Sequence, residues 1–148
     1  MTNISEYLDE QLICFLDTET RDESIRKMVD ILDETGKLSD ENAFYEAIVE
    51  REKIVSTGIG MGVAIPHAKL PEYSSFFIAI GILSQRVEWH ALDEAPVRLI
   101  FMIGGPDDKQ TEYLQILSSL TLAIRDEEKR KKLLQESDAK AIIGLFNA

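Results

Sequence analysis

The sequence predicts an α/β fold, a mixed sheet with helices packed on both faces, formed as one domain over residues 1–148. Two observations lead to it. The runs "SFFIAIGIL" (Ser75 to Leu83) and "VRLIFMIGG" (Val97 to Gly105) are almost free of polar residues, as strands covered on both faces must be. Segments with helical periodicity lie before and after these runs, so cover is available for each side of a sheet.

From the N-terminus, "QLICFL" (Gln11 to Leu16) reads as a first strand or the turn leading into one. "TRDE" (Thr20 to Glu23) has capping-box spacing, with Thr20 as cap and Glu23 reaching back. Ile25, Met28, Val29 and Leu32 then recur at helical spacing, and Gly36 suits the stop. Ser39 is the expected cap of a second helix, whose inward stripe is Phe44, Ala47 and Ile48 and whose end lies near "EREKI", Glu50 to Ile54. Gly62 to Ile65 reads as a short strand. "SQRVEWHALDEAP" (Ser84 to Pro96) is a turn-rich connection with room for a short edge strand. Tyr113, Leu117, Leu120 and Ile124 form one helical face. "DEEKRKKLL" places acids first and bases last, in accord with the helix dipole. Ser137 is the expected cap of a final helix with Ala141, Ile142, Leu145 and Phe146 as its apolar side.

Charge and composition exclude several classes. The net charge of -11 disfavours non-specific binding to nucleic acid or anionic membranes. The opening "MTNISEYLDE" lacks a signal peptide's basic start and apolar core, and no apolar run is long enough to span a bilayer. The single cysteine, Cys14, has no internal disulfide partner and reads as a small buried residue in a reducing compartment. A cytoplasmic location without membrane insertion is the expectation. Two histidines and one cysteine, far apart, match no zinc spacing, so neither a metal nor another cofactor is expected.

The stretch "GIGMGVAIPHAKL" (Gly58 to Leu70) holds the best candidate chemistry. Its glycines form G-x-G-x-G, but Val63 stands where a dinucleotide fingerprint needs its third glycine, and no Walker lysine is present after it. The glycines are either a turn entering a strand or a place where backbone approaches a phosphate or partner. Pro66 fixes its own φ and keeps Ile65 extended, so the strand stops there and His67 begins the next segment. His67 is therefore either a partly buried structural histidine or a site residue just past a strand end. His90 reads as a loop histidine without chemistry. Arg51, near the end of the second helix, either complements the dipole or offers a fork for phosphate oxygens.

The segment "EKIVSTGIGMGVAIPHA" (Glu52 to Ala68) resembles the signature of the IIA domain of the fructose/mannitol type in the phosphoenolpyruvate-dependent sugar phosphotransferase system, nitrogen-regulatory IIA proteins included. Glu52 opens that motif, Ile59 and Gly60 supply its apolar-glycine pair, and Val63 to Ala68 supply its closing Pro-His run. "RE" at Arg51 and Glu52 and the segment "VEWHALDEAPVRLIFMI" extend the likeness, which reaches from about Ile25 to Ile143.

The resemblance implies a phosphotransferase component with a phosphohistidine intermediate. His67 would accept a phosphoryl group from a histidine phosphocarrier protein and pass it to a IIB domain or protein, with Arg51 near the phosphate. Regulatory protein targets are further implied partners. Transfer of this kind is mostly positioning and charge stabilisation, for which Ser56, Thr57, Gly58 and Gly60 are candidate phosphate ligands. One position departs from the family: where it commonly has "EHL", this chain has "EYL", Glu112 to Leu114. Tyr113 can donate a hydrogen bond but cannot do imidazole's acid–base work near neutrality. It is either the head of a core stripe or a site hydroxyl in place of the second histidine. Three functions stay open on the sequence: a phosphocarrier, a non-transferring binding module whose contacts depend on the state of His67, and a domain whose Pro-His is structural.

Overall fold

The computed structural model describes residues 2–147. Its central strands are β5 (Phe77–Val87) and β6 (Val97–Gly105), the two apolar runs of the sequence, paired antiparallel. β1 (Ile13–Leu16) lies parallel to β5 on one side. Beyond β6 the order continues through β3 (Val63–Ala64) to β2 (Gly58–Gly60), and β4 (His67–Lys69) also pairs with β6. Parallel and antiparallel pairs coexist, so the sheet is mixed.

Side chains alternate along β5 and β6 and so supply two cores. Ala79 and Leu83 of β5, with Ile100 and Met102 of β6, face α1 (Arg21–Glu34) and α2 (Glu41–Ile54), where Met28, Leu32, Phe44 and Ile48 are buried. Ile78 and Ile80 of β5, with Phe101 and Ile103 of β6, face α3 (Gln110–Arg125), α4 (Glu127–Gln135) and α5 (Ala139–Gly144). The first face carries small residues because helix α1 comes close: a Cβ on Gly81 would lie 2.7 Å from Met28 Sδ. Cys14 is buried in this core, and burial pushes its thiol pKa up to about 12, so it is inert near neutral pH.

Local signals held where a side chain could satisfy a helix end. Thr20 Oγ1 accepts from the Glu23 amide, and Glu23 Oε1 accepts from the Glu19 amide. The other two helix caps fall one residue later than expected. Asp40, not Ser39, accepts from the Ala43 amide, and Asp138, not Ser137, accepts from the Ala141 amide. A carboxylate accepts from an N-terminal amide and also matches the positive end of the helix dipole, so it competes well with a neighbouring serine. Glu10–Leu12 forms a 3-10 turn, so the first strand starts only at Ile13. The connection after Leu83 holds no separate edge strand: Ser84 to Val87 simply continue β5 past the packed region, with Ser84 to Arg86 exposed. On α3 the buried face is Tyr113, Ile116, Leu120 and Ile124, while Leu117 turns part-way out.

Candidate functional site

The chain around Pro66 follows β6 as two short strands in one register, with Ile65 and Pro66 unpaired between them. Val63 and Ala64 pair with Leu99 and Ile100; His67 to Lys69 then pair with Ile103 to Gly105. Both strands advance equally across the gap, so β3 and β4 share one path along β6. Pro66 has no N–H to give, which interrupts the ladder, yet its carbonyl accepts from the Ile103 amide at 3.0 Å. The strand stops before His67, as expected, with β3 ending at Ala64 and β4 beginning at His67. His67 opens the second half of that path, anchored by the sheet instead of carried on a loop.

The His67 side chain is half-buried. Its Nδ1 lies 3.1 Å from the Ile65 carbonyl oxygen. A carbonyl can only accept, so Nδ1 carries the proton and Nε2 keeps its lone pair. Burial lowers the imidazole pKa below its ordinary value, and the charges of Arg51 and Lys69 act in the same direction; the Ile65 hydrogen bond and Glu52 oppose them. Burial thus favours the neutral imidazole, and the Ile65 carbonyl favours its Nδ1–H tautomer.

His67 opens onto a cleft of about 620 Å³ between the end of α2, the β2–β3 hairpin and α3. Arg51 lines it from the last turn of α2, with Nη1 donating to the Val55 carbonyl at 2.8 Å. Tyr113 lines it from the first turn of α3, its ring centroid 5.7 Å from that of His67. Tyr113 is 5% exposed, and burial raises its phenol pKa, so the hydroxyl stays protonated. Lys69 Nζ sits 4.1 Å above the Tyr113 ring centroid, a cation–π contact. The tyrosine is therefore both core and cleft wall, and the two readings of the sequence are not exclusive.

The remaining expected ligands divide. Ser56 and Thr57 line the cleft, but their hydroxyls already have partners. Ser56 Oγ donates to the Trp89 carbonyl at 2.7 Å and accepts from the Gly58 amide at 3.1 Å. Thr57 Oγ1 donates to Glu52 Oε2 at 2.6 Å and accepts from Trp89 Nε1 at 3.3 Å. Gly58 and Gly60 lie behind the cleft wall, packed on the loop after β5. A Cβ on Gly58 would strike Ala91, and one on Gly60 would meet Asp93. Gly60, Met61 and Gly62 all have positive φ (99°, 60° and 75°), which makes the glycines a tight hairpin turn. Asp93 Oδ2 accepts from the Met61 amide at 3.2 Å, placing a carboxylate at that turn. His90 is exposed and apart from the cleft.

Sequence reasoning missed Arg125 and Thr121. Both line the cleft, and with Tyr113 and Leu117 they form a stripe at every fourth residue of α3. That spacing was visible, but the more apolar stripe beside it masked it. The cleft wall holds two arginines and no carboxylate in a chain of net charge -11.

The family profile described as "Phosphoenolpyruvate-dependent sugar phosphotransferase system, EIIA 2" matches residues 6–148. The chain belongs to this family. Among EIIA 2 relatives, the fructose-specific EIIABC component of Bacillus subtilis is 39% identical over 132 residues, 89% of this chain. This chain spans only about a fifth (21%) of that protein's length. The fructose-specific EIIA component of Haloferax volcanii is 32% identical over 123 residues, covering 83% of this chain and 80% of that protein. The crystal structure of the nitrogen regulatory protein IIA-Ntr from Neisseria meningitidis superposes with a TM-score of 0.91 at 27% identity, covering 99% of this chain and 100% of that one. EIIA membership and the mixed-sheet fold expected from the sequence agree with these findings. Among the described residues no helix is long and apolar enough to cross a membrane.

Proposed function

We propose that this protein is a phosphocarrier whose His67 Nε2 takes a phosphoryl group from a histidine phosphocarrier protein and gives it to a IIB acceptor. The observation that carries the proposal is the Nδ1 hydrogen bond to Ile65, which leaves Nε2 as the nucleophilic nitrogen beside a cleft lined by Arg51. In the step, the Nε2 lone pair forms the new P–N bond while the donor's P–N bond breaks and its electron pair returns to the donor ring. The Nδ1 proton stays hydrogen-bonded to the Ile65 carbonyl throughout. Arg51 supplies positive charge to the phosphoryl oxygens, and the Tyr113 hydroxyl supplies a neutral donor. Ser56 and Thr57 hold the cleft wall in shape through their bonds to Trp89 and Glu52. Onward transfer reverses the same step towards the acceptor.

The rim supports a protein partner. Val55, Ile59, Met61 and Leu92 line the cleft and are 47%, 38%, 43% and 77% exposed. Exposed apolar side chains grouped around a reactive histidine suit docking of another protein's surface. Relatives with fructose-specific and nitrogen-regulatory names are both similar, so sugar uptake and regulation are both compatible outputs. Tyr113 favours one alternative, a switch that is phosphorylated but does not transfer, because its phenol stays neutral where the family commonly has imidazole.

Incubation with phosphoenolpyruvate, enzyme I and a histidine phosphocarrier tests the proposal. Intact mass is expected to show one acid-labile phosphoryl group on the protein and none on His67→Ala, with loss of the label when a IIB protein is added. Absence of label sinks the phosphocarrier reading. A stable label that no IIB removes favours the switch.

A further inference from the structure

A line of hydrogen bonds runs from a buried carboxylate to the reactive imidazole. Glu52, in the last turn of α2, is 5% exposed. Its Oε1 accepts from the Thr57 amide at 2.7 Å and its Oε2 from the Thr57 hydroxyl at 2.6 Å. The Thr57 carbonyl accepts from the Ile65 amide at 3.0 Å. The Ile65 carbonyl accepts from His67 Nδ1 at 3.1 Å. We infer that Glu52, acting through Thr57, is a positioning residue that sets the tautomer and orientation of His67.

The Ile65 carbonyl has few anchors. Pro66 breaks the ladder there and donates nothing, so the Ile65–Pro66 peptide is held through its neighbours: the Ile65 amide before it donates to the Thr57 carbonyl, and the Pro66 carbonyl after it accepts from the Ile103 amide. Loosen Thr57, and the carbonyl that selects the Nδ1–H tautomer is free to swing. A buried carboxylate is an expensive way to fasten a turn, since an apolar contact would do it without desolvating a charge. Two directed acceptors on one residue fix a backbone where an apolar contact would only fill space. Arg21 adds to the fixation: its Nη1 lies 3.9 Å from Glu52 Oε1 and donates to the Trp89 carbonyl at 3.2 Å. The inference rests on His67 being the phosphoacceptor for its functional consequence, but the imidazole geometry is measurable without any transfer.

Long-range ¹H–¹⁵N correlation spectra of the unphosphorylated full chain, labelled at histidine, read the tautomer directly; exposed His90 serves as the internal reference. Wild type is expected to show His67 as the Nδ1–H form alone. Glu52→Gln and Thr57→Val are expected to give mixed tautomers at His67. Both should lower the phosphoryl-transfer rate constant by about 10- to 100-fold with the donor KM little changed, as for a misplaced nucleophile. Thr57→Ser, which keeps the hydroxyl, should restore both. Trp89, the single tryptophan and fully buried, reports whether each variant keeps its fold. Folded Glu52→Gln and Thr57→Val proteins with a pure Nδ1–H His67 would overturn the inference, as would an Nε2–H wild type. If Glu52→Gln does not fold, the Thr57→Val and Thr57→Ser pair decides alone. If wild type takes no phosphate, the phosphocarrier proposal fails while the tautomer comparison still decides this one.

Discussion

Replacing Arg51 by Gln removes a charge but keeps an N–H donor for the Val55 carbonyl. Arg51 is half-buried at the end of α2, and that carbonyl is its one hydrogen-bond partner among the described residues. The loss of fold stability should stay within about 1 kcal/mol, the usual worth of such a bond. The loss in chemistry should be larger. A hydrogen bond from a guanidinium to a charged oxygen is worth about 1.5–3 kcal/mol, and each 1.4 kcal/mol is about tenfold in rate. Single-turnover phosphorylation of Arg51→Gln should therefore slow by about 10- to 100-fold at unchanged folding. The same substitution has a second effect of known sign. The Arg51 charge holds the His67 pKa down, so its removal should raise that pKa in an NMR titration. Transfer at the wild-type rate, or a His67 pKa that falls, would refute the placement of the guanidinium beside the reacting imidazole.

The same geometry sets three further outcomes. Tyr113→His should increase the rate of transfer to a IIB acceptor, at a cost of about 1–2 kcal/mol in stability from the smaller buried ring; denaturant melts and transfer kinetics check the two halves. His67 has a folded pKa below its ordinary 6.5, so the unfolded chain binds more protons in that window and His67's contribution to stability declines as pH falls from 6.5 towards the folded value. His67→Gln should flatten that part of the stability–pH curve, and an unchanged slope in urea titrations would count against it. Gly104→Ala should destabilise by about 1–3 kcal/mol, because a Cβ there would collide with the Phe77 ring and lie 2.7 Å from Phe44 Cε1. Urea unfolding measures this, and a wild-type midpoint would refute it.

Much of the fold is legible in the sequence because its signals are local. The two apolar runs became β5 and β6, the second with the expected bounds, and Thr20 caps α1 as expected while Glu23 reaches back to the Glu19 amide. Errors arose where two adjacent groups compete for one role, as with Ser39 and Asp40 or Ser137 and Asp138. They also arose where a strand is too short to have a period: β2 and β4 exist only because β3 and β6 offer partners. A Pro-His pair marks a break in a chain but does not say that the partner strand continues past it.

The sequence by itself determined which residues are chemically able to take part: an imidazole after a proline, an arginine at a helix end, and a tyrosine where the family resemblance implies a histidine. Only tertiary structure decided that they meet. Arg51, His67 and Tyr113 lie on α2, β4 and α3, and no periodicity relates positions on three separate elements. Packing also decided which hydroxyls are spoken for. Ser56 and Thr57 look free in one dimension, but the carbonyl and indole of buried Trp89 and the carboxylate of Glu52 engage both. Hydrogen-bond partners in a folded chain are set by distances in space, and a linear sequence does not contain them.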